Sequence, residues 1–193
     1  MTTAALPLPK PVKGPPLVTS EVFGMLIWVF AEVMLFAGFI SGYNLVGARA
    51  PAGWWPPPGD PALPVASTAA ASLALLASGV AVWWAGRPAS RAAAGRALGI
   101  AVVLALVFVG YQVAEFARLL AIGFTLVSSA HGGFFYTIIG AHALHAVSAV
   151  VALGWGWRKL SNGALSEPLF AALRIYWFFV VLLWPVLFTV VYL

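Results

Sequence analysis

Cysteine is absent from this 193-residue chain, which excludes disulfides, thiolate metal sites and a catalytic thiol. Charge is almost as scarce: Asp, Glu, Lys and Arg make up 8% of the residues, against 63% that are hydrophobic. A soluble domain of this length needs far more polar surface than that. The basic excess, a formal +5, would suit nucleic acid if it were gathered in one stripe or tail. Instead Lys and Arg stand between apolar runs, where they act as topology signals, so no nucleic-acid partner is expected. The chain also lacks a phosphate-cradling Gly-rich loop with its lysine, an HExxH sequence and a nucleophile elbow, so no independent active site is expected.

What is present is a series of apolar runs, each long enough to cross a bilayer core of about 30 Å as a helix. The reading is an all-α integral membrane protein, a bundle of transmembrane helices near 21–46, 62–86, 97–119, 131–157 and 170–193. Residues 1–20, MTTAALPLPKPVKGPPLVTS, are too rich in proline and too poor in a continuous apolar core for a cleaved signal peptide. They read as an extended cytoplasmic arm preceding a membrane domain at 21–193. RAPAGWWPPPGDPALP breaks the first run from the second, GRPASRAAAGR the second from the third, and RKLSNGALSEP the fourth from the fifth. LLAIGFTLVSS, between the third and fourth, is unusually apolar and is expected partly in the membrane or against a partner. On this threading Lys10, Lys13, Arg87, Arg91, Arg96, Arg158, Lys159 and Arg174 fall on one side and Arg49 and Arg118 on the other. The positive-inside rule then places the N-terminus in the cytoplasm and the C-terminus outside. Trp83, Trp84, Trp155 and Trp157 cluster at the inner ends, and Trp54 and Trp55 at an outer one, as interfacial anchors.

Ionisable residues at membrane depth are costly and therefore informative. Glu32 lies about 16 Å along the first helix from its inner end, near the bilayer middle. With no basic residue at similar depth it is expected to be neutral, hydrogen-bonded to a neighbour, or turned toward a partner subunit. A proton-path or lipid-contact role and a purely structural carboxyl remain open for it. Glu115, Arg118 and Tyr111 share one face near the outer end of the third helix, which suits a locally paired carboxylate more than a transport role. His142 and His145 are one turn apart on the fourth helix. A metal would need a further ligand, and His131 lies about three turns away, so no metal is expected here. Interhelical hydrogen bonding, to one of the buried glutamates, is the expected use of the pair. Ala66, Ala70, Ala74 and Ser78 make a small-residue stripe along the second helix, predicted to be a packing face.

Several segments together resemble subunit III of haem-copper respiratory oxidases, in the five-helix bacterial short form. GMLIWVFAEVMLFAGFISGY is similar to the family's helix with its glutamate at Glu32, and WWPPPGDPALP to the tryptophan-proline loop. The helix after that loop ends in Ser78 and Gly79; YQVAEF matches at Gln112 and Glu115, and the Gly-x-His-x-x-His pattern falls on Gly140, His142 and His145. YWFFVVLLWPVLFTVVYL aligns with a segment in which the family usually has His and Asp where Phe178 and Val181 stand here, so any role of those two polar groups is missing. Ala31 likewise replaces a serine that often precedes the family's glutamate.

The resemblance implies a non-catalytic accessory subunit in aerobic respiratory electron transport. It would carry no haem or copper of its own; those groups are expected in partner subunits. The expected partners are the catalytic oxidase subunit I, with subunit II and other respiratory-complex subunits, and the departures at Ala31, Phe178 and Val181 point to a divergent branch or a specialised supercomplex. It further implies support of proton uptake and bound phospholipid, with Glu32, Glu115, His142 and His145 as intramembrane polar candidates. Trp54, Trp55, Trp83, Trp84, Tyr176 and Trp177 are candidates for interface or lipid contact. The expected location is the bacterial cytoplasmic membrane. Two other classes stay open: an accessory subunit of a nitric-oxide-reductase-type system, and a stand-alone transporter. Against the transporter, the chain has no inverted repeat and few polar residues to line a path.

Overall fold

The structure is a computed structural model that describes residues 18–87 and 90–193. The arm's Lys10 and Lys13 lie outside the described residues. Within them the chain forms five helices: α1 (Ser20–Arg49), α2 (Val65–Ala85), α3 (Arg91–Ala121), α4 (Ala130–Ser161) and α5 (Glu167–Tyr192). All five are long and apolar enough to cross a membrane, and the described residues contain no strand.

Local sequence explains where the helices start and stop. Ser90 and Ser129 cap α3 and α4, each side-chain oxygen accepting from a backbone N–H three residues on, at 3.2 Å from Ala93 and 2.9 Å from Gly132. Beyond the C-terminus of α3, Gly123 takes a left-handed φ of 85°, so its N–H reaches Leu120 O at 3.1 Å and that of Phe124 reaches Leu119 O at 3.0 Å. Gly163 ends α4 in the same way at φ 72°, with Ala164 N donating to Lys159 O at 2.9 Å. Both turns satisfy carbonyls that a helix end leaves orphaned, and both need a residue without a Cβ. Pro168 opens α5, where a missing N–H costs nothing.

α5 is the hub of the bundle, packed against α1, α2 and α4; α3 packs on α2 and α4, and α1 sits at the edge on α4 and α5. Trp177, Trp184, Phe36, Phe108 and Phe135 are fully buried between these helices. Small residues set the close approaches, as expected where lipid supplies no hydrophobic drive. A Cβ on Gly79 of α2 would lie 3.0 Å from Val181 Cγ1, and one on Gly156 of α4 would lie 2.6 Å from Leu173 Cδ1. The inward face of α2 runs through Thr68, Ser72, Leu75, Ser78, Gly79 and Val82. The stripe expected from the sequence is therefore displaced: Ser78 is buried, but Ala66 and Ala70 point outward.

Candidate functional site

The polar residues at membrane depth fall into separate groups because each helix face meets a different neighbour. In the first group, α1 contributes Trp28, Glu32 and Phe36, α4 contributes Ala141, His145 and Ser148, and α5 contributes Tyr176 and Phe179. His145 Nδ1 lies 2.7 Å from the Ala141 carbonyl oxygen one turn back. A carbonyl only accepts, so Nδ1 carries a proton and Nε2 is turned to Glu32, 3.1 Å from Oε2 and off the axis of an aligned hydrogen bond. Phe36 and Phe179 stand edge-on to the imidazole, with Trp28 tilted beside it. The Tyr176 hydroxyl closes the group on α5, bonded to Ser148 Oγ and to the His145 carbonyl at 3.2 Å. The arrangement is a carboxyl and an imidazole in an aromatic cage within the apolar zone.

His142, one turn from His145, also touches Phe36, but it is sealed in the core with its ring stacked on Trp184 at 5.1 Å. Neither of its nitrogens has a hydrogen-bond partner among the described residues, and it meets no glutamate. Trp184 Nε1, beyond it, donates to Ser72 Oγ at 2.7 Å and ties α5 to α2. No group of three or more His, Asp or Glu among the described residues could hold a metal ion.

Glu115 is buried and held by Arg118 through Nη2 at 2.6 Å and Nε at 3.0 Å from Oε1. Arg118 itself is half exposed. Tyr111, on the same face of α3, does not join them. Its hydroxyl goes to α2 instead, donating to Ser67 Oγ at 2.8 Å and lying 3.2 Å from Thr68 Oγ1.

A further group, at the end of the bundle that carries the α1–α2 loop, was not anticipated. Asp60, in the proline-rich loop before α2, accepts through Oδ2 from Ser129 Oγ at 2.7 Å and from His131 Nδ1 at 2.9 Å. The loop is thereby fastened to the start of α4, with Tyr43 and Trp55 packed around the imidazole. The signal available in the sequence was that Asp60 is the loop's single acidic residue and that Ser129 and His131 flank a helix start. Beside this latch lies a cleft of about 770 Å³ lined by Asn44, Gly47, Trp55, Asp60, His131 and Tyr192 among others.

The aromatic candidates divide. Trp54, Trp83 and Trp84 are exposed on the bundle's outside, and Arg87 lies over the Trp83 ring at 3.3 Å. Trp55 is instead half-buried against Tyr43. Tyr176 and Trp177, expected at an interface or against lipid, are a correction: they are 8% and 1% exposed, because α5 is covered by neighbours on three flanks.

Comparison of the sequence with known proteins gives the family. Residues 16–193 match the family model for cytochrome c oxidase subunit III. A probable cytochrome c oxidase subunit 3 of Mycobacterium tuberculosis is 30% identical, over 88% of this chain and 85% of its own length. The cytochrome c oxidase subunit 3 of Synechocystis is 30% identical over 90% of this chain and 75% of its own. That of Cyprinus carpio is 30% identical over 92% and 71%.

Proposed function

Because the chain belongs to the cytochrome c oxidase subunit III family, we propose that it binds the catalytic subunit I, and subunit II beside it, and sustains proton uptake there during turnover. It is a multi-pass membrane protein and an accessory subunit of a haem-copper oxidase, and so works in a complex with other oxidase subunits. Haem and copper are assigned to the partners, where they supply the oxygen-reducing chemistry. The residues of this chain pack helices and hold protons.

The observation that carries the proton role is the Glu32–His145 pair. An ionisable carboxyl at membrane depth is expensive unless it is matched, and here it is matched by an imidazole on a second helix, 3.1 Å away. Both side chains keep a little exposure, 17% for Glu32 and 13% for His145, at the seam of the helix that is least covered by its own bundle. That uncovered face of α1 is where a partner subunit is assigned. Exposed Trp83, Trp84, Trp155 and Trp157, with Arg87 and Lys159 stacked on two of them, suit the inner headgroup level, where phospholipid is assigned. The N-terminus is then cytoplasmic, in a bacterial cytoplasmic membrane.

The test is extraction from native membranes in mild detergent, with a reduced-minus-oxidised spectrum and mass spectrometry of co-purifying chains. Haem bands with a large catalytic oxidase subunit are expected. Co-purification with a nitric-oxide-reducing catalytic chain would redirect the assignment, and a colourless chain that never bound a partner would sink it.

A further inference from the structure

Charge is distributed unevenly between the two ends of the bundle. Where α1 and α5 begin, and α2 joins α3, stand the cations Arg87, Arg91, Arg96, Arg158, Lys159 and Arg174, with only Glu21 and Glu167 as carboxylates. Among the described residues none of these cations has a carboxylate within ion-pair distance. The other three acids of the chain stand elsewhere: Glu32 beside His145, Asp60 with His131, and Glu115 with Arg118. Arg87 and Lys159 spend their charge on the rings of Trp83 and Trp155. Any anion that answers Arg91 and Arg174 therefore comes from outside the chain.

These two arginines meet at one cavity of about 280 Å³, between the α2–α3 and α4–α5 connections, with Gly86, Arg91, Gly163 and Glu167 in its lining and Ala94 and Leu160 as apolar wall. Arg174 reaches that lining from α5: a Cβ on Gly86 would lie 2.4 Å from its Cζ and Nη1. Phe170 and Phe178, one turn to either side of it, hold the guanidinium with ring centroids 5.7 and 5.9 Å from Cζ. Arg91 lies over Gly163 in the same manner, its Nη1 2.9 Å from where a Cβ would stand. Each guanidinium is thus at a helix C-terminus, α2 for Arg174 and α4 for Arg91, where the helix dipole favours a cation. That accounts for the charges but not for Arg174 Nε, a buried donor with no hydrogen-bond partner among the described residues. We propose that the cavity binds the phosphodiester of a phospholipid whose headgroup bears an ammonium, with Arg91 and Arg174 on the phosphate and Glu167 on the ammonium. Planar guanidinium forks match phosphate oxygens, and exposed Trp83, Trp84, Trp155 and Trp157 set this end at headgroup level. Glu167 lines the same cavity without pairing to either arginine, so it repels a doubly charged phosphate monoester and suits a zwitterion. The inference deepens the phospholipid assignment at this end and rests on it; it involves neither α1 nor the Glu32–His145 pair.

The experiment is native mass spectrometry of the full chain in detergent micelles, titrated with dioleoylphosphatidylethanolamine or dioleoylphosphatidylglycerol, with inorganic phosphate as competitor. One phosphatidylethanolamine should be retained, about threefold more tightly than phosphatidylglycerol, as an exposed carboxylate–ammonium contact allows. Millimolar phosphate should not displace it. Arg174→Gln should weaken retention roughly tenfold, the size of a charge-assisted hydrogen bond. Arg91→Gln should do the same at an exposed position where the fold is not at stake. Glu167→Gln should keep the lipid and erase the preference between headgroups, and Arg158→Gln, away from the cavity lining, should change neither. Undiminished binding in both arginine variants, or an equal loss in Arg158→Gln, would overturn the site while leaving phospholipid at this end. A headgroup preference that survives Glu167→Gln would overturn the ammonium contact, and displacement by inorganic phosphate would assign the arginines to a free anion. Retention of no lipid at all would sink the phospholipid assignment itself, whereas the oxidase assignment is decided separately by co-purification.

Discussion

Asp60→Ala should release the α1–α2 loop from α4, and the structure sets the size of the effect. One carboxylate oxygen accepts two hydrogen bonds, from Ser129 Oγ at 2.7 Å and His131 Nδ1 at 2.9 Å, on a side chain that is 10% exposed. Hydrogen bonds to a charged group contribute about 1.5–3 kcal/mol each, and a buried donor left without a partner costs about 1–3 kcal/mol. Part of this returns as the freed donors meet water, so a net loss of about 3 kcal/mol is expected for loop closure. At about 1.4 kcal/mol per decade, that is roughly a hundredfold more opening. Hydrogen exchange reads it directly at the Trp54 amide, which donates to Pro51 O within the loop, while amides in the middle of α4 serve as the unaffected reference. Asp60→Asn keeps an acceptor without the charge and should show about a third to half of the effect. Exchange at Trp54 that rises less than threefold in Asp60→Ala would refute the latch.

Glu32→Ala should leave assembly largely intact while lowering proton uptake or shortening the active life of the complex. Turnover and inactivation kinetics identical to wild type would remove that role from Glu32. His142→Ala takes a fully buried ring from beside Trp184 and should cost about 2–4 kcal/mol by analogy with other large-to-small core changes; it should appear as lower thermal stability or weaker subunit retention, and a metal lost specifically with the ring would count against the structural reading. Gly79→Leu drives a side chain into Val181, whose Cγ1 would lie 3.0 Å from the new Cβ, and should destabilise the α2–α5 contact by about 2 kcal/mol or more. Partial recovery of melting temperature in Gly79→Leu with Val181→Ala is the check, and no recovery would place the strain elsewhere.

Much of the architecture was legible because the bilayer imposes so simple a rule. Apolar runs of bilayer length separated by Pro, Gly and charge can form only helices that satisfy their own backbone. The Glu115–Arg118 contact was legible for a similar reason, since a spacing of three residues on one helix fixes proximity without any knowledge of neighbours. Tyr111 shows the limit of that logic. It shares the face, yet its hydroxyl turns to Ser67 and Thr68 because α2 lies against that side of α3.

The sequence by itself determined five membrane-length helices and the presence of ionisable groups within their apolar runs, while the caps at Ser90 and Ser129 that open α3 and α4 and the glycine turns at Gly123 and Gly163 that end them were seen only in the structure. Tertiary structure alone decided their partners: His145 rather than His142 for Glu32, His131 for Asp60, and a core position for Trp177. The physical reason is that capping, periodicity and hydropathy act over a few residues of one chain segment. A partner 71 or 112 residues away, as for His131 with Asp60 or Trp184 with Ser72, is chosen by which helix faces pack closely, and that depends on where a Gly79 or Gly156 lets two backbones approach.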